Sequence, residues 1–487
     1  MLPSRLRYSV VLCVLALAVQ GTVCIAEPLK KPNILFILVD DLAWSDLGCY
    51  GHPWHETTNI DRLAASGIRM TSGYAPAPIC SASRASILTG KTTARLGFEF
   101  VTKAEPGHQT IEGSVRLQTP KFTLNLPLKE KTVADHLTEL GYETAFFGKW
   151  HLNQHHERYL GWSPTHGPAD QGFQVAVEDF GAHPYSWKEA PPAAIQRPGK
   201  YAPDSMVDGV CDYLSGKRDK PFFAMASSFY VHTPVKTPCE WLVDDYDNKI
   251  PAGIKNRTRR VNYAAFLQTL DHHVGRMLDA LDSGGKRDDT LIVFMSDNGG
   301  HPEYTANGPL RGSKWNLYEG GIRVPFFAVW PGRIAAGTTS DVPVIGYDLL
   351  PTFVDLAGGQ AVEVDGVPIG DLLLGGSTFA ERDLVWHFPY YHPERGYAKA
   401  KGTIGVDDFA VSKTRPQSAM RRGKHKLLWF AEDDRVELYD LETDPSEQRD
   451  LSKASREITG VWTTRMRKTL SQMKARLATK SVREDAK

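Results

Sequence analysis

The chain has 487 residues, 41% hydrophobic and 23% charged, which is a globular composition and more length than one ordinary domain needs. Lysine plus arginine and aspartate plus glutamate both number 57, so the chain lacks the basic excess of a nucleic-acid binder, while a local basic pocket for an anion remains compatible with zero net charge. Six cysteines over this length imply no disulfide framework.

Arg5 and Arg7 precede a nearly all-apolar run from Val10 to Val19, and small residues lead to a cleavage point at Ala26. This layout predicts a signal peptide over residues 1–26 and a secreted or periplasmic protein. The apolar run is too short for a comfortable membrane span, and no later segment reads as one. Gly21-Thr22-Val23 is a poor lead-in to Cys24, so lipoprotein anchoring is not expected. Cys13 and Cys24 belong to the leader, which leaves Cys49, Cys80, Cys211 and Cys239.

Ile34 to Val39 is a continuous apolar run that stops at Asp40-Asp41, as a strand buried on both faces of a parallel sheet does. Asn59 to Gly67 predicts a helix with Ile60, Leu63 and Ala64 on one stripe and a glycine at its end. Thr132 to Leu140 predicts another. A second strand, Thr144 to Phe147, runs into Gly148-Lys149 and His151, and a third, Pro221 to Ala226, continues to His232. Asn256-Arg257-Thr258 is the one glycosylation sequon and is taken as unmodified. Val261 to Leu281 predicts a long amphipathic helix. Leu291 to Met295 is a fourth strand, ending in Ser296-Asp297-Asn298, and Pro325 to Trp330 is a fifth.

This alternation predicts an α/β sheet with helices on both faces. In such sheets ligands bind beyond the carboxyl ends of strands, and four of the five runs end in Asp, Asn, Lys or His. After about residue 375 the texture changes. Leu384 to Phe388, Lys424 to Phe430 and Val436 to Leu441 read as short strands, and Ser452 to Ala478 as a closing helix. The division expected is 27–375 for a catalytic domain and 376–487 for a smaller antiparallel sheet with one helix.

Two constellations carry chemistry. Cys80-Ser81-Ala82-Ser83-Arg84 has no second Cys or His at metal-ligand spacing. A helix starting near Ser81 brings Arg84 onto the face that carries Cys80, which makes a position suited to negative charge. The plain alternative is a buried structural cysteine. Asp40, Asp41, Asp297 and Asn298 would offer hard oxygen ligands, a set that selects Ca2+ or Mg2+ over zinc. Their plain alternative is helix capping.

Cys80-x-Ala82-x-Arg84 followed by Leu88-Thr89-Gly90 resembles the signature of the sulfatase family. Four other blocks resemble that family in the same order: Pro32-Asn33-Ile34 to Asp40-Asp41, Gly141 to His151, Ser296 to Gly299, and Gly312-Ser313-Lys314 with Glu319 to Pro325. The likeness spans roughly residues 31 to 455. It implies an alkaline phosphatase-like fold with a large mixed sheet, and conversion of Cys80 to formylglycine by a maturation enzyme. It implies Ca2+, in preference to Mg2+, next to the modified residue and the four oxygen ligands. The hydrated aldehyde then attacks sulfur, Arg84 polarises it, Lys149 holds it, and His151 takes the proton that releases sulfate. His232 and Lys314 contact sulfate and the leaving oxygen. Ala82 departs from the proline that many members have there, which bears on which enzyme matures the site.

The substrate signal is thinner. Tyr185, Trp187, Trp386, His387, Tyr390, Tyr391 and His392 are expected in loops where rings could stack on a sugar or an aryl group. A sulfated carbohydrate is the favoured substrate. The alternatives are an arylsulfatase of broad specificity, a phosphonate or phosphate ester hydrolase of the same superfamily, and a non-catalytic glycan-binding scaffold. The last would be expected to have lost Cys80, Lys149 or His151, and all three are present.

Overall fold

The computed structural model describes residues 31–187, 191–376 and 379–480, so the expected leader lies outside the described residues. Eight strands form the large sheet: β1 (Asn33–Val39), β2 (Ile68–Met70), β3 (Glu143–Gly148), β4 (Val175–Val177), β5 (Phe222–Ser227), β6 (Thr290–Ser296), β7 (Phe326–Val329) and β8 (Thr338–Ser340). Their spatial order is β8-β2-β7-β6-β1-β5-β3-β4. β1 lies at the centre, parallel to β5 on one side and β6 on the other. Only β7 is reversed, antiparallel to both β6 and β2. The fifth apolar run of the sequence is therefore a strand, but its carboxyl end points away from the edge where the other four end. That is the physical reason it carries none of their polar residues.

β1 shows why its sequence is apolar throughout. Ile34, Phe36 and Leu38 enter one core, and Leu35, Ile37 and Val39 enter the other. The first core is closed by helices α2 (Cys80–Thr89), α3 (Val133–Glu139) and α6 (Leu349–Leu356). The second is closed by α1 (Thr58–Ala65), α4 (Ser205–Ser215) and α5 (Arg257–Ser283). Helices on both faces are what a sheet with no polar face requires. Among the described residues no helix is long and apolar enough to cross a membrane, and Cys49, Cys80, Cys211 and Cys239 are unpaired.

A second, antiparallel sheet has the order β9 (Leu384–Phe388), β10 (Gln417–Arg422), β11 (His425–Phe430), β12 (Arg435–Asp440). One of its faces packs on Met466 and Leu470 of α7 (Arg456–Gln472). This helix is shorter than the run Ser452 to Ala478 suggested. Lys474 takes a left-handed backbone just past its end, and Thr479–Lys480 pairs with Leu117–Gln118 as a strand. The other face packs against the start of α2, with Trp386, Phe388 and Tyr390 in one cluster with Ile79, Cys80 and Ala82.

The two sheets are also joined by buried charge. Lys426 on β11 lies 2.8 Å from Glu319 and 2.9 Å from Glu447, and all three side chains are fully buried. Removing a charge that compensates two buried carboxylates is costly, so Lys426→Met should lose about 3–5 kcal/mol in denaturant unfolding. One lysine cannot neutralise both partners. Glu319 is held down at about 2, since Lys426 and Arg323 outweigh its burial, whereas burial and Glu319 push Glu447 up to about 7. A carboxyl raised in the folded state contributes stability that is complete below its ordinary value of 4.5 and is lost as pH rises through 7. Glu447→Gln should therefore gain in melting temperature relative to the parent as pH is raised from 5 to 8, and an unchanged difference would refute this account.

Candidate active site

Four strands of the large sheet end at one edge, and each delivers part of the site. β1 runs into Asp40 and Asp41, β3 into Lys149 and His151, and β6 into Asp297 and Asn298, while β5 leads through a short loop to His232. Cys80 is the first residue of α2, and Arg84 follows one turn later on the same face. Lys314 comes from the long loop after β6. That loop folds back tightly on itself, because a Cβ at Gly321 would overlap the Asn316 carbonyl oxygen. All ten residues are at most 9% exposed. The structure thus brings together every catalytic and metal-ligating residue expected from the sequence.

Three carboxylates meet three cations here. Arg84 donates from Nε to Asp297 Oδ2 at 2.8 Å, and from Nη1 to the Lys149 carbonyl oxygen at 2.7 Å and to Ser227 Oγ. The Lys149 ammonium pairs with Asp40, and Lys314 Nζ lies 2.7 Å from Asp41. Asn298 donates from Nδ2 to Asp41 Oδ1 at 2.8 Å. His151 Nδ1 is 3.5 Å from Cys80 Sγ, and His232 Nε2 is 3.7 Å from Asp41 Oδ2. Asp41 and His151 both have left-handed backbones, at φ 61° and 57°. For a residue with a Cβ this costs about 1 kcal/mol or more, a strain that the surrounding contacts hold in place.

Burial sets the protonation states. It pushes the Cys80 thiol up, so the sulfur is a neutral thiol and a poor nucleophile. Burial opposes the charges of Lys149 and Lys314, but Asp40 and Asp41 outweigh it and keep both protonated. Burial, then Lys314 and Lys149, hold His232 neutral at about 3, and burial with Lys149 also holds His151 neutral. Burial and the nearby Asp40 raise Asp297 to about 7. This carboxyl is being asked to ionise beside two others.

The unsatisfied atoms show what the site is built to receive. Among the described residues, Asp40 Oδ1 and Asn298 Oδ1 are buried acceptors with no donor, and Arg84 Nη2 is a buried donor with no acceptor. Buried polar atoms normally find partners. Two free oxygens among three carboxylates fit a hard cation, and a free guanidinium N–H fits an anion. Because the fixed charges cancel, a divalent ion would leave the site net positive, as binding an anionic ester requires.

Sequence reading missed several neighbours. Ser227 takes a hydrogen bond from Arg84 and gives one to the Lys149 carbonyl oxygen at 2.6 Å. Tyr159, 52% exposed, stands with its ring centroid 6.5 Å from that of His151 and 5.4 Å from that of Tyr185. Trp315, next to Lys314, stacks on His392 at 3.7 Å and meets His301 at 4.9 Å. Ser227 was foreshadowed by the polar end of its strand. Tyr159, His301 and Trp315 sit in aperiodic loops that gave no signal.

The family model described as Sulfatase matches residues 32–359, and one described as N-sulphoglucosamine sulphohydrolase, C-terminal, matches 313–476. The chain belongs to the sulfatase family. It is 31% identical to the Arylsulfatase A of Homo sapiens over 482 residues, covering 90% of this chain and 86% of that protein. It is 31% identical to the N-acetylgalactosamine-6-sulfatase of Canis lupus familiaris over 393 residues, covering 74% of this chain and 69% of the other. Among solved structures it is similar to Ps i-CgsB in complex with k-i-k-neocarrahexaose, with a TM-score of 0.70 and 25% identity over 94% of this chain and 96% of that one. This sulfatase is accordingly a sulfuric ester hydrolase, with the alkaline phosphatase-like fold.

One part of the substrate reading is corrected. Trp386 and His387 lie in β9, as the strand expected over Leu384 to Phe388 requires, and not in a substrate-facing loop, and Tyr390 and Tyr391 are fully buried after it. Trp386 donates to the Ala75 carbonyl oxygen at 2.8 Å, His387 is held between Ser418 Oγ and the Arg476 carbonyl oxygen, and Tyr390 stacks on Phe100. These rings are core of the sulfatase's small sheet and cannot stack on a substrate. Tyr185 does face the site, with its hydroxyl 3.0 Å from His232 Nδ1. His392 stacks on Trp315, the neighbour of Lys314. Trp187 is tied to the Ala182 carbonyl oxygen at 3.2 Å.

Proposed function

We propose that this sulfatase removes sulfate from carbohydrates, using a formylglycine made from Cys80 by a maturation enzyme and a Ca2+ held by Asp40, Asp41, Asp297 and Asn298. The observation that carries the reading is the pairing of free buried acceptors on Asp40 and Asn298 with a free buried donor on Arg84. An all-oxygen ligand set of this kind suits Ca2+, with Mg2+ the second choice. When present, the aldehyde hydrate supplies an oxygen nucleophile and the ion polarises the bound sulfate.

The chain's own residues do the rest. Arg84, fixed by Asp297 and the Lys149 carbonyl oxygen, keeps one N–H free on the helix that carries residue 80, where it can bind sulfate. Lys149 and Lys314 stay protonated and stabilise oxyanion charge on the transferring group. His151, neutral and 3.5 Å from the residue 80 side chain, is the base that accepts its proton. The leaving oxygen draws its proton from Lys314, the protonated one of the two groups beside Asp41, and the neutral His232 stands next to it.

The carbohydrate assignment rests on the walls of the pocket. Tyr159 and Tyr185 stand beside His151 and His232, and Trp315 with His392 beside Lys314, so the site has aromatic rings near it on which a sugar can pack. The leader of residues 1–26 would export the enzyme to where sulfated polymers are met. The test is inorganic sulfate release from sulfated mono-, oligo- and polysaccharides beside a simple aryl sulfate and a matched phosphate ester. Turnover of sugar sulfates is expected. Efficient turnover of the aryl ester with none of any sugar sulfate would refute the carbohydrate assignment, and faster turnover of the phosphate ester would refute the preference for sulfate.

A further inference from the structure

A second cavity, of about 480 Å3, opens among the loops at the same edge of the sheet. Its walls are Ser45 and the segment from Tyr50 to His55 after β1, Ile254 and Arg260 at the start of α5, the loop from Tyr304 to Pro309 after β6, and one carboxylate, Asp407. α5 leads into β6, so its first turn must lie at the carboxyl edge, where Asp40 and Asp297 end their strands. Thr305 Oγ1 donates to Asp46 Oδ1 at 2.6 Å and ties the two loops together. A row of packed rings runs from the cavity wall toward the catalytic residues. The Tyr304 ring lies 5.4 Å from His301, which lies 4.9 Å from Trp315, the neighbour of Lys314.

Arg260 is the unusual group in this cavity. Its guanidinium carbon sits 4.0 Å from the Phe409 centroid and 5.7 Å from that of Trp54. Among the described residues it has neither an ion pair nor a side-chain hydrogen bond, and burial pulls its pKa down against the more distant attraction of Asp407 and Asp46. A half-buried cation stacked between two rings keeps its N–H fork free for an anion.

The histidines beside it argue the same way. His52 and His55 stack at 3.4 Å, and burial holds both neutral, His52 at about 2 and His55 at about 4. His52 Nδ1 accepts from the backbone N–H of His55 at 3.1 Å, so its proton is on Nε2, which can only donate. With Asp46 these two rings have the spacing of a metal group. The Asp46 carboxylate, however, is already taken by the Ala43 N–H and by the hydroxyls of Tyr263 and Thr305. A cation would also have to sit near Arg260, whose charge Asp407 and Asp46 offset without forming an ion pair with it. The donors fit an anion.

We infer that this cavity is a second subsite, in which Arg260, stacked on Trp54 and helped by His52 Nε2–H, takes an anionic group carried by a neighbouring sugar of the substrate chain. The inference rests on the carbohydrate reading above and extends it to a substrate with at least two anionic groups. His301 and Tyr304 lie between Trp315 and the cavity, which places both sites on the same edge of the sheet.

The test uses Arg260→Gln and Arg260→Glu in the full chain, with carrageenan and chondroitin sulfate hexasaccharides and a small aryl sulfate as probes. Sulfate release and calorimetric binding are both measured. For the hexasaccharides KM should rise about tenfold in Arg260→Gln and more in Arg260→Glu, with kcat little changed. The aryl ester, which carries one anionic group, should be turned over within twofold of the parent. Unchanged hexasaccharide KM or binding in Arg260→Glu would overturn the subsite alone and leave the carbohydrate reading standing. Loss of aryl ester turnover in both variants would make Arg260 structural and overturn it too. A parent enzyme that neither binds nor desulfates any hexasaccharide would overturn both.

Discussion

Cys80→Ala should release no measurable sulfate from any ester, a loss of at least about 10,000-fold, because it removes the group that attacks sulfur. The thiol itself cannot be that group. Burial keeps it protonated, and it faces Lys149, Lys314 and a neutral His151 across a site built for oxyanions. The side chain is 2% exposed and small, so alanine leaves a small cavity and the fold should survive with a similar melting temperature. Sulfate release by the alanine variant at a rate near the parent would remove Cys80 from the chemistry.

The second large effect is expected from the metal site. Asp297→Ala, or thorough chelation, should lower kcat/KM by about 1,000-fold or more, since several kcal/mol of transition-state stabilisation depend on a cation at this position. Asp297 accepts from Arg84 Nε and from the Asp41 N–H, so its loss also frees the guanidinium that can bind sulfate. Chelation should in addition lower the melting temperature, because a bound ion offsets the crowding that holds Asp297 at about 7. If chelation left both activity and melting temperature unchanged, the acidic cluster would be structural.

Much of this site could be read before any coordinates existed, because each part sits where an apolar run stops. A strand buried on both faces shows in sequence as β1 does, and the residue just beyond it in a parallel sheet faces the ligand edge. That logic found Asp40, Asp41, Lys149, His151, His232, Asp297 and Asn298. It also registered that Pro325 to Trp330 ends without polar residues, but the reversal of β7 was invisible, since a strand's direction depends on its neighbours. Aromatic residues after residue 385 misled for a related reason. Trp386 and Tyr390 look like loop rings in a short, polar-flanked run, yet the small sheet turns them onto the start of α2. Contacts made across long stretches of chain left no local trace, as with Lys426 between Glu319 and Glu447, or Tyr185 against His232.

The central claim is that an oxygen group derived from Cys80, and not its sulfur, does the chemistry. A mass spectrum of the tryptic peptide Met70–Arg84, which holds Cys80 and no other cysteine, tests it most directly on enzyme purified with sulfatase activity. The account predicts a side chain that has lost one sulfur and two hydrogens and gained one oxygen, in a fraction of molecules that tracks specific activity. Active enzyme whose residue 80 is wholly unmodified cysteine would contradict it.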